Sequence, residues 1–353
     1  MKVRLNCWSD QPHLSQVYTG LAMLHRAGEI QLQQKVSPPP PLNADPECPP
    51  HLVDAKTGHC AVESNGLRYC VDVCDTHEID AEALESCDVY LKRSYAREPM
   101  SAKVRPLGLN YRVFADGFDL FEVERRLRMA GWKQAARYFA RRQLTVSDFE
   151  ADVPNGEPRV LFLCRTWEPE PERGPASAAR VLINDSRADC IAALRKEFGD
   201  RCIAGFSPSA HALAHYPQAV VTDPSITERR RYVQLMRSVP ICVATVGLHG
   251  SNGWKLAEYI ASSRAIVCEE LQHDAPHLLP GRNFLPFGNA SECVERVGEL
   301  MESSAQRTAI AKANRQYYLA YLRPDRLMAN ALSDSLTPSR QPAAAGLSPH
   351  VPP

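Results

Sequence analysis

The sequence predicts an α/β protein of two domains, the second built on a doubly wound parallel sheet. Three observations carry this. From Val160 onward, short apolar, β-branched runs alternate with stretches of helical periodicity, the pattern of a parallel sheet covered on both faces. One of those runs, Ile241 to Val246, ends in a glycine-rich turn that opens directly into a helix, an arrangement suited to phosphate. The 353 residues suit two domains at about 150 residues each, both long enough to bury a core.

Taken in order, the first half reads as mixed. An apolar run, Val3 to Trp8, predicts a strand. After Ser9-Asp10-Gln11-Pro12, the spacing of Val17, Leu21 and Leu24 predicts a helix over 13–26, closed by Gly28. Ile30 to Val36 is a second strand running into a proline-rich surface loop that ends near Pro50. Asn65-Gly66 stands between two β-prone runs, Cys60 to Ser64 and Leu67 to Val73. That is a hairpin signal, because both central positions of a type I′ turn need positive φ. A helix over 79–86, strands at 89–91 and 103–107, and helix from Phe118 to Leu144 broken near Gly131 complete a first domain of residues 1–150 with an inserted hairpin. Asp152 to Pro158 reads as the linker.

The second domain is expected over 157–332. Strands are predicted at 160–164, 202–206, 219–222, 241–246, 265–268 and 283–287. Helices are predicted up to Phe198, over 211–216, 226–238 and 253–263, and from 291 to 332. Residues 333–353, rich in Pro, Ala and Ser, read as a disordered tail.

Composition excludes several classes. Lys+Arg and Asp+Glu are 41 each, so the chain lacks the basic excess of a dedicated nucleic-acid binder. No apolar run reaches the roughly 18 residues of a membrane span, and the opening MKVRLNCWSD is too weakly apolar for a signal peptide. A cytoplasmic location is the expectation. The 12 cysteines are scattered without a C-x-x-C or zinc-like spacing and read as reduced, buried small hydrophobes.

The chemistry concentrates after the strand at 241–246. Gly247, Gly250, Ser251 and Gly253 precede a helix whose start offers unpaired N–H groups and the positive end of the dipole. Glycines allow close backbone approach. Lys255 adds a positive charge in a first turn where the dipole alone would favour an acid, which points to an anion nearby; a ligand-free tight turn is the alternative. Glu258, three residues on, shares a face with Lys255. It can accept both hydroxyls of a ribose or simply pair with Lys255.

The segment Gly247-Leu-His-Gly-Ser-x-Gly-Trp-Lys-Leu-x-Glu258-Tyr-x-Ala, followed by Ser263-Arg-Ala-Ile-Val-Cys-Glu269, resembles the donor-binding core of GT-B glycosyltransferases, and more narrowly of bacterial glycosyl transferases group 1 proteins. The resemblance extends through Pro280-Gly281-x-Asn283 and Tyr317-Tyr318-x-x-Tyr321-Leu-Arg-Pro-Asp325. It touches Trp8-Ser-Asp10, Leu91 to Tyr95 and Pro106 to Tyr111. It implies two Rossmann-like doubly wound domains facing across a cleft, with a nucleotide-sugar donor on the second and the acceptor on the first. It implies that Glu258 holds the donor ribose, that Gly250, Ser251 and Gly253 face the diphosphate or sugar, and that Arg165 pairs with the diphosphate, as a forked guanidinium can. The fuller pattern carries an acid seven positions before the ribose-binding glutamate; here that position is Ser251, with His249 close by. His249 either touches the ligand or is a satisfied loop histidine, and Arg165 is otherwise a salt-bridged surface residue.

Such a transfer needs the leaving diphosphate stabilised, and backbone N–H groups, Arg165 and Lys255 can do this without a metal. No D-x-D stands in a strand-end loop, so neither metal nor cofactor is expected beyond the donor substrate. An inverting enzyme also needs a base from the first domain. Asp10 is the first candidate and His13 the second, Asp10 being alternatively a helix cap. From Arg125 to Arg142 stand seven basic residues and no acid, with Leu127, Trp132, Tyr138 and Phe139 between them. They suit peripheral contact with an anionic membrane face, or equally a solvated helix face. No obligate protein partner is expected. A non-catalytic binding or scaffolding relative is the main alternative. An NAD-dependent oxidoreductase is disfavoured, since no G-x-G-x-x-G follows the strands at 3–8 or 160–164.

Overall fold

The computed structural model describes residues 1–37, 58–96, 101–140, 143–170 and 175–333. Most of the proline-rich loop, Arg141, Arg142 and the tail from 334 lie outside these residues, as do the side chains of Arg137 and Tyr138.

In β1 (Lys2–Cys7), Val3, Leu5 and Cys7 alternate into the core, the period-2 pattern of a half-buried strand. One turn of 3-10 helix (Pro12–Leu14) leads into α1 (Ser15–Arg26), then β2 (Gln31–Val36), which lies parallel to β1. Asn65 (φ 51°) and Gly66 (φ 78°) turn β3 (His59–Ser64) back into β4 (Leu67–Asp72), both in the left-handed region the hairpin needs. After α2 (Ala81–Ser86), capped by the Asp80 carboxylate, come β5 (Val89–Lys92) and β6 (Val104–Pro106).

The first sheet runs β2-β1-β3-β4-β5-β6. The hairpin is therefore not an appendage. Its strand β3 sits at mid-sheet, antiparallel to β1 and to β4, while β4, β5 and β6 are parallel. A two-residue turn can only reverse the chain, so the first domain is Rossmann-like in layout but mixed in strand direction. The helix α3 (Leu120–Ala140) breaks at Gly131, whose φ of 73° no helix tolerates, and α4 (Val146–Phe149) opens on a Thr145/Asp148 capping box.

The second body contains β7 (Val160–Cys164), α5 (Pro175–Phe198), β8 (Cys202–Phe206), α6 (Ala210–His215), α7 (Arg229–Ser238), β9 (Ile241–Ala244), α8 (Trp254–Ala261), β10 (Ala265–Glu269), β11 (Leu285–Phe287), α9 (Ala290–Glu302) and α10 (Ser304–Tyr317). Its sheet, β11-β10-β9-β7-β8, is wholly parallel. Alternate residues of one strand feed opposite cores. Leu161 and Leu163 join α7 and α8, whereas Val160 and Phe162 join α5 and α9, which is why these strands read as continuous apolar runs. The expected strand at 219–222 is only a single bridge, Val220 to Phe206. Arg195 takes the carbonyls of Gln218 and Val220.

Two crossings join the bodies. Leu144, Val146 and Phe149 pack into the second core, and Ser262 and Ser263 donate to the carbonyls of Phe149 and Ala151 at 2.6 and 2.8 Å. In return, after a π turn at Tyr318–Leu322, α11 (Pro324–Ser333) crosses back onto α1, and Leu327, Met328 and Leu332 complete the first core. The last helix, which falls within the expected 157–332 span, thus packs with the first sheet. Gly20 makes that contact possible: a Cβ there would lie 2.1 Å from the Pro324 carbonyl oxygen. The eleven described cysteines are all free thiols, nine of them buried, as expected.

Candidate active site

In a doubly wound sheet the ligand crevice lies where strand order reverses, beyond the carboxyl ends of the strands. Here that point falls between β7 and β9. Arg165 follows β7, and Thr245 to Gly253 follow β9. The buried Arg187 of α5 ties the two ends together. It donates to Thr245 Oγ1 (3.0 Å), to the Arg165 carbonyl (2.9 Å) and to the Val246 carbonyl (2.9 Å). From the other side, Glu269 at the end of β10 accepts from Val246 N–H at 2.9 Å. The floor of the crevice is thus fixed by side chains that do not themselves occupy it.

The glycine-rich loop closes on itself. Gly247 N–H donates to the Ser251 carbonyl (2.8 Å), and Ser251 N–H to the Leu248 carbonyl (3.1 Å). His249 (φ 59°) and Gly250 (φ 66°) both adopt left-handed backbone. At Gly250 a Cβ would also collide with Gln272 Oε1 at 2.0 Å. The loop delivers Gly253 as the N-cap of α8. No side chain caps that helix and no acid stands in its first turn, so its start remains an anion-binding end.

Cations surround it without matching acids. Arg165 is exposed and forms no ion pair among the described residues, so the surface-salt-bridge alternative is not taken. The Lys255 ammonium lies 3.8 Å above the Tyr232 ring and likewise has no ion pair there. Burial lowers its pKa to about 8, with Arg229 and Arg165 pushing the same way and Glu258 opposing.

Glu258 is 1% exposed, and its partner is not Lys255. Arg229, at the start of α7, grips both carboxylate oxygens, at 2.7 and 3.1 Å. Sequence spacing missed Arg229 because 29 residues separate the pair. The only available signal was the cationic run Arg229-Arg230-Arg231 ahead of an amphipathic stretch. Ser251 is buried at 3%, and Gly247 leaves room for its hydroxyl. The His249 side chain is exposed, while its carbonyl faces His273 Nε2 at 3.0 Å.

The first body meets this loop directly. Trp254, the first residue of α8, donates its indole N–H to His13 Nδ1 at 3.3 Å, the two rings 4.5 Å apart. Burial and the nearby Arg93 lower the His13 pKa to about 4, against the opposing pull of Asp75. Arg93, buried at 3%, pairs with Asp75 and donates to the Asn252 carbonyl at 2.5 Å. His13 and the donor-side loop are therefore neighbours.

Asp10 is not in that group. Its carboxylate pairs with Arg126 of α3, beside the Glu122 that also holds Arg125 and Arg126. Nor does it cap a helix: neither the 3-10 turn nor α1 has a side-chain cap. The basic stretch is also less free than expected. Arg125 is buried against the Tyr18 ring, and Arg128 pairs with Glu124 at 3.0 Å. Residues 125–142 carry seven cations and no acid, but the acids that pair with Arg125, Arg126 and Arg128 precede them in the chain.

Among the described residues one trio has metal-ligand potential, His59, Asp72 and Cys74, within 4.8 Å of one another. The Lys92 ammonium sits 2.6 Å from the Asp72 carboxylate and already supplies that acid with a cation. No helix of the described residues is long and apolar enough to cross a membrane.

Residues 187–333 match the family model described as "Glycosyl transferase-like". No curated protein sequence matches the chain. Similar solved structures include the C-terminal domain of a glycosyl transferase group 1 family protein, LpcC, from Francisella tularensis (12% identity, TM-score 0.34, covering 49% of this chain and 95% of that one). They also include Anabaena HepE in complex with UDP and glucose (10%, 0.41, 93% and 98%) and an α1,3-fucosyltransferase (8%, 0.42, 89% and 82%).

Proposed function

We propose, on the match of residues 187–333 to the family model described as "Glycosyl transferase-like" and on the site itself, that the protein moves a sugar from a nucleotide-sugar donor to an acceptor hydroxyl. One observation supports this most. At the switch point of a parallel sheet, an uncapped, glycine-lined helix start is flanked by Arg165 and Lys255, two cations without acidic partners among the described residues. A diphosphate supplies the missing charge. Backbone N–H groups and the Arg165 fork hold it, and they are aimed where negative charge grows as the glycosidic bond to the leaving group breaks.

Glu258, oriented by Arg229, accepts the ribose hydroxyls, since each oxygen of an ionised carboxylate keeps a lone pair beyond the one Arg229 uses. With two fixed cations at the leaving group, the reaction is metal-independent in this proposal. The acceptor approaches from the first body, across the cleft at His13 and Arg93. Asp10, bound to Arg126, is a weaker candidate base than the sequence suggested. Five large apolar side chains from Phe118 to Phe139 stand exposed, Trp132 at 69% among them, with Lys133 over the Trp132 ring. They support a peripheral anionic-membrane contact through α3, resting on apolar anchors more than on the arginines.

Isothermal titration with UDP-, GDP- and dTDP-sugars in the presence of a chelator tests the proposal. Saturable binding of one of them is expected. Binding only after a divalent cation is added would remove metal independence, and no binding at all would remove the donor site.

A further inference from the structure

His13 was a candidate for a base, yet its hydrogen bonds assign it the opposite task. An indole N–H can only donate, so the 3.3 Å contact from Trp254 Nε1 requires a lone pair on His13 Nδ1. The Asn110 amide nitrogen lies on the same side, 3.5 Å from Nδ1, and is anchored by donating to the His13 carbonyl at 3.2 Å. In a neutral imidazole whose Nδ1 accepts, the proton stands on Nε2. That atom has no hydrogen-bond partner among the described residues, and it is not among the side-chain nitrogens sealed away from solvent.

We propose that His13 is a neutral hydrogen-bond donor to the transferring group, giving its Nε2–H to an oxygen of the donor's diphosphate or sugar, and that Trp254 and Asn110 position it by fixing the tautomer. This deepens the glycosyl-transfer reading and rests on it. Trp254 is the first residue of the helix whose start holds the diphosphate, so the ring lies beside the developing charge while belonging to the other body. A donor that needs no proton change serves such a charge better than an imidazolium in a cationic neighbourhood. Arg93, itself beside the loop through the Asn252 carbonyl, disfavours that imidazolium. The Trp254–His13 contact also joins the two bodies.

Two experiments test it. The first needs no turnover: histidine-15N NMR of the full chain, with His13 assigned by loss of its signals in His13→Gln. The expected result is the Nε2–H tautomer, unprotonated at pH 5.5, with mixed tautomers in Trp254→Phe. An Nδ1–H form or an imidazolium in the wild type would overturn the assignment. The second uses whichever of the UDP-, GDP- or dTDP-sugars the wild type turns over. His13→Ala should lower kcat on the order of 10²-fold with little change in KM, and His13→Gln, which keeps an N–H at the Nε2 position but cannot act as a base, should recover most of it. Equal loss in both variants would mean a base, and no loss in either would mean no contact; each outcome overturns the proposal. A wild type that turns over no nucleotide sugar refutes the glycosyl-transfer reading instead, while the NMR still decides the tautomer.

Discussion

Arg229 holds Glu258 by a two-point fork, Nη2 to Oε1 at 2.7 Å and Nη1 to Oε2 at 3.1 Å, across 29 residues of chain. The carboxylate is buried while the arginine side chain is 42% exposed, so the burden of desolvation falls on the acid. Replacing Arg229 by Ala leaves that acid buried without its cation. We expect a loss of about 1–3 kcal/mol in chemical denaturation, less than for a fully buried pair because water reaches the arginine side. Nucleotide-sugar affinity should fall as well. Arg229→Lys should restore only part of both, since an ammonium cannot span two oxygens in a fixed plane. An unchanged denaturation midpoint in Arg229→Ala would show that the fork contributes nothing.

A buried trio, Asp72 with His59 and Lys92, contributes to acid stability. Burial alone would raise the Asp72 carboxyl, but His59 and Lys92, at 3.3 and 2.6 Å, outweigh it and hold the group well below the usual carboxylate range. A carboxylate depressed in the folded state stabilises fully above its unfolded pKa near 4. That stability is lost as pH falls toward the folded value. Asp72→Asn should therefore destabilise by about 3–5 kcal/mol at pH 7, where it strands the Lys92 cation. The gap from wild type should narrow below about pH 4. Thermal melts of both proteins from pH 7 to pH 3 measure it; a constant gap would contradict the linkage.

Lys255 sets the pH dependence of donor binding. Its pKa of about 8 in the unliganded protein means the cation is present at neutral pH and is lost above that value. A diphosphate favours the protonated form, so affinity should be flat below pH 8 and fall above it, with proton uptake on binding near pH 8. Calorimetry in buffers of different ionisation enthalpy reads that uptake. In Lys255→Met the uptake should vanish and the affinity should drop about 10-fold or more. Proton uptake that survives the substitution would place the titrating group elsewhere.

The crossing of α11 onto α1 depends on one missing side chain. A Cβ on Gly20 would meet backbone, the Pro324 carbonyl, which cannot swing away. Gly20→Ala should cost about 1–3 kcal/mol and expose the segment after Leu322 to limited proteolysis. A wild-type digestion pattern would show that the helices separate without consequence.

Much of this fold was legible because the second sheet buries both faces and so writes its strands as apolar runs. Ile241–Ala244 and Ala265–Glu269 were found within a few residues for that reason. The glycine loop was legible because the positive φ at Gly250 favours glycine. What the sequence hid was long-range pairing. Arg229 on Glu258, Arg126 on Asp10 and Trp254 on His13 are side-chain contacts between elements that spacing arguments treat separately. The placement of β3 at mid-sheet was hidden likewise, since a hairpin signal specifies its turn and not its neighbours.

The most direct test of the donor site is turnover of a UDP-, GDP- or dTDP-sugar panel by the wild type, Glu258→Ala and Arg165→Ala, with circular dichroism confirming that all three are folded. The proposed site predicts transfer or slow hydrolysis of at least one donor by the wild type and its abolition in both variants. Full activity in both folded variants would contradict it.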